Sequence, residues 1–150
     1  MSSRKLLNKE IISTWEEKWE QSVPLFSNHI RVKKDGYYHH GLYFSDDEVI
    51  QFGLGTTYEI ANPRNINVQR STLSEFLQAG VLEVRKYSEL ELKYAFDEQT
   101  IYKNALEKIG SNSYDFIHNN CEHFCISCIF GIKFSFQEEL FINEVKKRLG

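Results

Sequence analysis

The sequence has few cysteines, no long apolar run and no excess of basic charge, and each shortage excludes a class of protein. The net charge is −3 over 150 residues, which argues against a nucleic-acid-binding surface or a polybasic membrane patch. The least polar window, residues 124–136, is too short to span a bilayer. The three cysteines all lie between Cys121 and Cys128, whereas a secreted disulfide scaffold spreads an even number along its chain. Residues 1–7 lack the apolar stretch of a secretory signal, so we expect free thiols and a cytoplasmic location.

The remaining composition is typical of one soluble globular domain, and the order of the predicted elements indicates the α+β class. Hydrophobic residues make up 41% and charged residues 26% of the chain. Apolar spacing predicts an amphipathic helix over residues 7–20, ended by Pro24. Strand patterns follow in residues 28–69 and 81–87, and capping residues at four places predict later helices: Thr72, Asp97, Asn119 or Asn120, and Ser135. Without a linker or repeat, residues 1–150 are expected to form a single α+β domain.

The string Asn120-Cys121-Glu122-His123-Phe124 is the strongest chemical signal in the sequence. Asn119 or Asn120 is a good N-cap, which places Cys121 in the first turn of a helix. The N–H groups and the dipole at a helix start favour a thiolate, so we expect a lowered pKa for Cys121. Cys125 and Cys128 follow on the same helix face and are expected to be buried core residues. Cys121 is therefore the candidate nucleophile, and it needs a base from elsewhere in the fold.

The pair His39-His40 supplies the candidate base. If residues 37–44 and 48–52 form a hairpin around a three-residue turn at 44–46, His39 lies opposite Gln51. The Gln51 amide can then hold one ring nitrogen and fix the tautomer, leaving the other nitrogen available. His40 points to the opposite face, and we expect no catalytic role for it. The candidate catalytic residues are thus Cys121, His39 and Gln51.

Metal-binding interpretations of the cysteines are weaker. The C-x3-C-x2-C spacing of Cys121, Cys125 and Cys128 matches the iron–sulfur motif of radical SAM enzymes, but those enzymes need a large partial barrel after the motif and only 22 residues follow here. A zinc site from Cys121, Cys125, His118 and His123 has enough ligands, yet a continuous helix spreads them too widely for a tetrahedron. We expect no metal and no cofactor.

Together these motifs resemble the lecithin:retinol acyltransferase-like family, the "H-box and NC" proteins. The resemblance covers about residues 28–137 and is carried by His39-His40-Gly41-Leu42-Tyr43, Asn120-Cys121-Glu122-His123-Phe124, Asn28-His29-Ile30-Arg31-Val32, Val49-Ile50, Tyr114 and Ser135-Phe136-Gln137. It implies a circularly permuted papain-like fold, in which an antiparallel sheet carrying the base packs against the nucleophile helix, with flanking N- and C-terminal helices. It also implies that Cys121 is the nucleophile, that His39 is the base, and that acyl groups pass through a cysteine thioester, usually from glycerophospholipids.

The sequence departs from the family pattern at three places. The second family histidine, twelve residues after the first, is Gln51 here, and the glycine-containing turn is replaced by Ser45-Asp46-Asp47. The hydrophobic C-terminal anchor of the animal enzymes has no counterpart in these residues, so we expect no transmembrane segment and at most a peripheral membrane contact.

Three functional hypotheses remain open on these residues. The leading hypothesis is a thiol acyltransferase or phospholipase acting on an acyl-donor lipid or ester, with no nucleic-acid partner. The first alternative is a non-catalytic interaction module, as in some viral 2A relatives, and it is motivated by the replaced histidine. A cysteine peptidase or amidase is the least favoured, since no export signal would deliver this chain to a cell wall.

Overall fold

The computed structural model describes residues 7–54, 59, 62–115 and 119–150. Its helices and strands run in this order: α1 Lys9–Ser13, β1 Lys18–Glu20, β2 Asn28–Lys34, β3 Tyr37–Ser45, β4 Glu48–Phe52, β5 Val68–Ser71, α2 Leu73–Leu77, β6 Leu82–Lys86, α3 Glu89–Leu92, α4 Glu98–Lys108, α5 Cys121–Phe130 and α6 Phe136–Leu149. A short 3₁₀ helix, Pro63–Asn65, precedes β5. The predicted α+β class is therefore confirmed.

Within these described ranges the strands form one antiparallel sheet of six, in the order β1-β6-β2-β3-β4-β5. β3 is the strand that positions the site. It pairs with β2 along its length, from Tyr43 opposite Asn28 to Tyr37 opposite Lys34. Its pairing with β4 covers only Gly41 to Ser45. The first residues of β3 therefore extend beyond the end of β4, where their edge meets other elements.

The two faces of the sheet carry two separate apolar clusters. On one face, Leu42 and Ile50 belong to a core that includes Phe124 and Ile126 of α5. On the other face, Val49 and its neighbours surround the fully buried ring of Phe76 from α2. Because successive residues of a strand face opposite sides, α5 and α2 pack on opposite faces of β3 and β4.

The predicted helix over residues 7–20 is wrong beyond Ser13. The chain leaves α1 there, and Trp19 lies in β1 opposite Arg85 of β6. The Trp19 ring packs edge-on against the His29 ring at a centroid distance of 5.0 Å, and the Arg31 guanidinium lies 4.2 Å from the Trp19 ring centroid. Strand pairing and these ring contacts outweigh the helical spacing of the apolar residues.

The predicted hairpin register is wrong by two residues. The turn between β3 and β4 is the two-residue Asp46-Asp47, and a register irregularity lies between Tyr43 and Ser45. Gln51 consequently lies opposite Gly41 instead of opposite His39. A shift of two residues preserves the face of every side chain, so Gln51 still shares a face with His39.

The predicted helix starts are confirmed, because each of the four capping side chains accepts a backbone N–H bond at its helix: Thr72, Asp97, Asn120 and Ser135. The strand predicted at 81–87 is β6. The range 57–69, where further strands were predicted, falls partly outside the described residues, and β5 begins at its end. None of the helices in the described ranges has the length and apolar character needed to cross a bilayer. The permuted papain-like fold stays a prediction.

Candidate active site

Cys121 is the first residue of α5, as the capping chemistry predicts. The Oδ1 atom of Asn120 accepts hydrogen bonds from the backbone N–H groups of Glu122 and His123, at 2.9 and 3.1 Å. In return, the Asn120 N–H donates to Nδ1 of His123 at 3.0 Å. This reciprocal pattern is a capping box with histidine in place of the usual Glu or Gln. It fixes the first turn of α5 and with it the position of the sulfur.

The sulfur of Cys121 contacts the backbone of β3 on both sides of His39. The His40 N–H donates to Sγ at 3.4 Å, and the Sγ–H donates to the Tyr38 carbonyl at 3.9 Å. Alternate residues of a strand direct their backbone groups to the same edge, so these two groups share one edge of β3. Since β4 pairs only from Gly41 onward, Cys121 meets β3 just beyond the end of β4.

His39 and Gln51 are joined directly. Their atoms Nε2 and Oε1 are 2.6 Å apart, and both side chains are buried. The Gln51 Nε2–H donates to Ser71 Oγ at 2.6 Å, and Ser71 Oγ–H donates to the Thr72 carbonyl. This chain of donors requires the Gln51 oxygen to face His39, so His39 Nε2 carries the ring proton. Nδ1 is then the basic nitrogen.

The His39 ring lies on the α2 side of the sheet, where it packs against Phe76 at a centroid distance of 5.2 Å. The structure thus brings His39 and Gln51 into contact, and it brings Cys121 to the peptide groups that flank His39. His40 lies on the other face, as predicted, with its ring near His29 and Trp19. Cys125 and Cys128 are fully buried in the core, also as predicted.

The expected low pKa of Cys121 is wrong. Burial raises the pKa of the Cys121 thiol to about 12, which outweighs the opposing effect of the His40, Cys121 and Glu122 backbone N–H groups. Burial likewise lowers the pKa of His39 to about 4, although the Gln51 hydrogen bond opposes this shift. The cause is common to both residues: an apolar surrounding disfavours whichever form is charged. The resting site therefore holds a neutral thiol and a neutral imidazole.

A small pocket with a volume of about 40 Å³ lies beside Cys121, which forms part of its lining. Cys121 itself is 2% exposed, so only a small part of its surface faces this pocket. The surrounding side chains are mainly aromatic or amide groups, among them Tyr37, Tyr114, Gln137 and Phe141. The lining is thus mainly apolar, with a few polar groups that include the carboxyl group of Glu138.

Comparison with known proteins identifies the family of this chain. A protein-family model described as "Lecithin retinol acyltransferase" matches residues 23–134. The chain belongs to this family. Lecithin retinol acyltransferase of Homo sapiens is 22% identical over 136 residues, and that of Rattus norvegicus is 24% identical over the same length. The alignment covers 78% of this chain but 59% of each relative, so the chain spans well under two thirds of the length of these curated relatives.

Behind Cys121, this family member contains a buried polar network that the sequence pattern does not predict. His29 Nε2 and His40 Nδ1 are 2.7 Å apart, and His40 Nε2 lies 3.8 Å from Oε2 of Glu122. Glu122 Oε1 accepts hydrogen bonds from Ser135 Oγ–H at 2.8 Å and from the Gln137 N–H at 2.9 Å. Burial raises the pKa of Glu122 to about 7.

This network ties four elements together at the site: the helix α5, the strands β2 and β3, and the start of α6. The sequence carried partial signals for it. Ser135 has the spacing of a helix cap and Gln137 carries part of the family resemblance, but no sequence pattern links either residue to Glu122. Only the folded chain shows that a buried carboxylate next to Cys121 holds the first turn of α6 in place.

Proposed function

We propose that this family member is a thiol-dependent acyltransferase or lipid hydrolase, in which Cys121 is the nucleophile, His39 the general base and Gln51 the residue that orients the base. Family membership supports an acyltransferase-type activity in general. The finer assignment is supported by one observation above all. The Cys121 sulfur contacts the peptide groups on either side of His39, whose tautomer Gln51 fixes.

The proposed reaction begins when an ester carbonyl of the acyl donor enters the pocket beside Cys121. The thiol proton passes to Nδ1 of His39, a sulfur–carbon bond forms, and the carbonyl π electrons move onto oxygen. The Cys121 N–H at the start of α5 donates to this oxyanion. When the carbonyl re-forms, the alkoxide leaves with the proton from His39, and a thioester remains on Cys121. Water or an acceptor alcohol, deprotonated by His39, then releases the acyl group and regenerates the thiol.

The neutral resting pair sets a condition on this mechanism. Because burial opposes both the thiolate and the imidazolium, proton transfer from Cys121 to His39 has to accompany attack on the carbonyl. The developing oxyanion and its hydrogen-bond donors supply the compensating stabilisation at that moment. This order differs from that of a thiol enzyme with a preformed ion pair.

Intact-protein mass spectrometry tests the proposal. Incubation with a short-chain activated ester, and separately with phospholipid vesicles, should add one acyl group per chain, and peptide mapping should locate it on Cys121. Cys121→Ser and His39→Gln are the variants expected to abolish the adduct, whereas Cys128→Ser is the matched control that should acylate normally. A folded wild-type protein that remains unmodified by every donor would defeat the proposal.

One observation favours a non-catalytic interaction module as the second candidate. Cys121 is 2% exposed and burial raises its pKa to about 12, which is a poor resting state for a nucleophile. A module of this kind predicts that a folded Cys121→Ala protein keeps its full biological activity. Loss of that activity in the same variant would exclude the module.

A further inference from the structure

The start of α6 places an amide side chain beside the proposed nucleophile. The Tyr38 N–H donates to Oε1 of Gln137 at 3.0 Å, and Tyr38 is also the residue whose carbonyl accepts from Cys121 Sγ–H. The N–H and the C=O of a strand residue point to the same edge. Gln137 and Cys121 are therefore attached to the same residue of β3, from the same side, and both line the pocket.

The orientation of the Gln137 amide follows from its partner. A backbone N–H can only donate, so the atom that faces Tyr38 has to be the oxygen, and Nε2 with its two hydrogens is the other end of the amide. Among the described residues, no hydrogen bond uses Nε2 of Gln137. By contrast, the amide of Asn120, which also lines the pocket, is committed to capping α5 and to Ser135.

The backbone of Gln137 is held as firmly as its side chain. Its N–H donates to Oε1 of the buried Glu122 at 2.9 Å, and Ser135, two residues earlier, donates to the same oxygen at 2.8 Å. With both ends fixed, the Nε2 group loses little entropy when a substrate oxygen binds. Preorganised donors of this kind stabilise a developing negative charge more than a mobile donor does.

We infer that Gln137 Nε2–H is the second donor of the oxyanion hole, acting with the Cys121 N–H on the carbonyl oxygen of the acyl donor. The inference rests on the proposed acyl transfer through Cys121. In this step the new sulfur–carbon bond forms while the carbonyl π pair moves to oxygen, and Gln137 donates a hydrogen bond without transferring its proton. Gln137 is thereby a catalytic residue and not only a contact of β3.

Two variants separate this role from a structural one. Gln137→Glu keeps an oxygen that can accept from the Tyr38 N–H but removes the Nε2 donor, whereas Gln137→Met removes both. Each variant is assayed in two ways: by the rate of acylation of Cys121 with a short-chain activated ester, and by the rate of its alkylation with iodoacetamide at one fixed alkaline pH. Alkylation forms no oxyanion, so it reports the reactivity of the sulfur and corrects for the charge introduced by Glu.

We expect both variants to acylate roughly 100-fold more slowly than the wild type, by comparison with the loss of one donor in other oxyanion holes, while alkylation changes less than about threefold. Wild-type acylation in Gln137→Glu, with a loss confined to Gln137→Met, would show that the amide serves only as an acceptor for Tyr38 and would overturn the inference. An equal loss of both rates would overturn it as well, since the sulfur itself would then be perturbed. A wild type that alkylates but never acylates defeats the proposed function itself, and the inference with it.

Discussion

Alkylation of Cys121 by iodoacetamide measures how much thiolate the resting site contains. Burial raises the pKa of Cys121 to about 12. At pH 8 this leaves roughly 1 sulfur in 10,000 ionised, against roughly one in four for an ordinary cysteine of pKa about 8.5. Only the thiolate reacts appreciably. We therefore expect Cys121 to react roughly 2,000-fold more slowly than free cysteine at pH 8, with the rate rising about tenfold per pH unit up to pH 10 or above.

The assay is a time course of peptide mass spectrometry at several pH values, in the wild type and in His39→Ala. Cys125 and Cys128 serve as internal controls, because they lie in the same helix, are fully buried and do not line the pocket at Cys121. Both should remain unmodified while Cys121 reacts. The His39→Ala variant should alkylate at nearly the wild-type rate at pH 8, since the neutral imidazole does not hold the sulfur ionised in the resting state.

A preformed thiolate–imidazolium pair would give a different profile. Alkylation would then be fast and nearly independent of pH from about 5 to 9, as expected for a thiolate of low pKa. The fast phase would disappear in His39→Ala. Observing that pattern would refute the neutral resting state and restore the low pKa that the capped helix start predicts.

Three further predictions concern stability, each measured by denaturant unfolding. Burial lowers the pKa of His39 from 6.5 to about 4. The neutral ring therefore contributes its full stabilisation above pH 6.5, and about 3 kcal/mol of the free energy of unfolding is lost as the pH falls to 4. A His39→Gln protein that loses as much stability over this range would contradict the assignment of this pH dependence to His39. Gly41→Ala should lower the free energy of unfolding by roughly 1–3 kcal/mol, because the added Cβ would lie 2.7 Å from Cε2 of the buried Phe76. Gly36→Ala is the control: open space surrounds its Cβ, so any loss there reports the effect of a positive φ alone. Asn120→Ala should lower the free energy of unfolding by about 1 kcal/mol or more because it removes the α5 cap, and Asn120→Asp should lower it less. Equal losses in the two variants would argue against capping as the cause.

The features that the sequence predicted well depend on local chemistry. A capping side chain bonds to backbone groups within three residues, so Asn120 and Ser135 mark their helix starts whatever the rest of the fold does. The partnership of His39 with Gln51 was predicted for a related reason. The register error was an even number of residues, and an even shift leaves side chains on the same face.

The features that it missed depend on contacts between distant segments. Trp19 has helical spacing, but β6 lies close enough to pair with it only in the folded sheet. The expectation of a low pKa for Cys121 was based on the helix start alone, whereas burial in the apolar core has the larger effect on the thiol. The contacts of Gln137 with Tyr38 and Glu122 join residues 99 and 15 positions apart. No local pattern encodes such distances.

The end of β4 explains why the site forms where it does. The unpaired N–H and C=O groups of a strand edge can form hydrogen bonds with neighbouring groups. Where β3 continues past β4, its edge is taken by the sulfur of Cys121 and the amide of Gln137 in place of another strand. This unpaired edge of β3 therefore positions the candidate nucleophile Cys121 next to the segment that carries His39. It also positions the candidate oxyanion donor Gln137 next to Cys121. Extending β4 by two residues would pair the peptide groups of Tyr38 and His40 and displace both side chains, so the short strand is a requirement of the site.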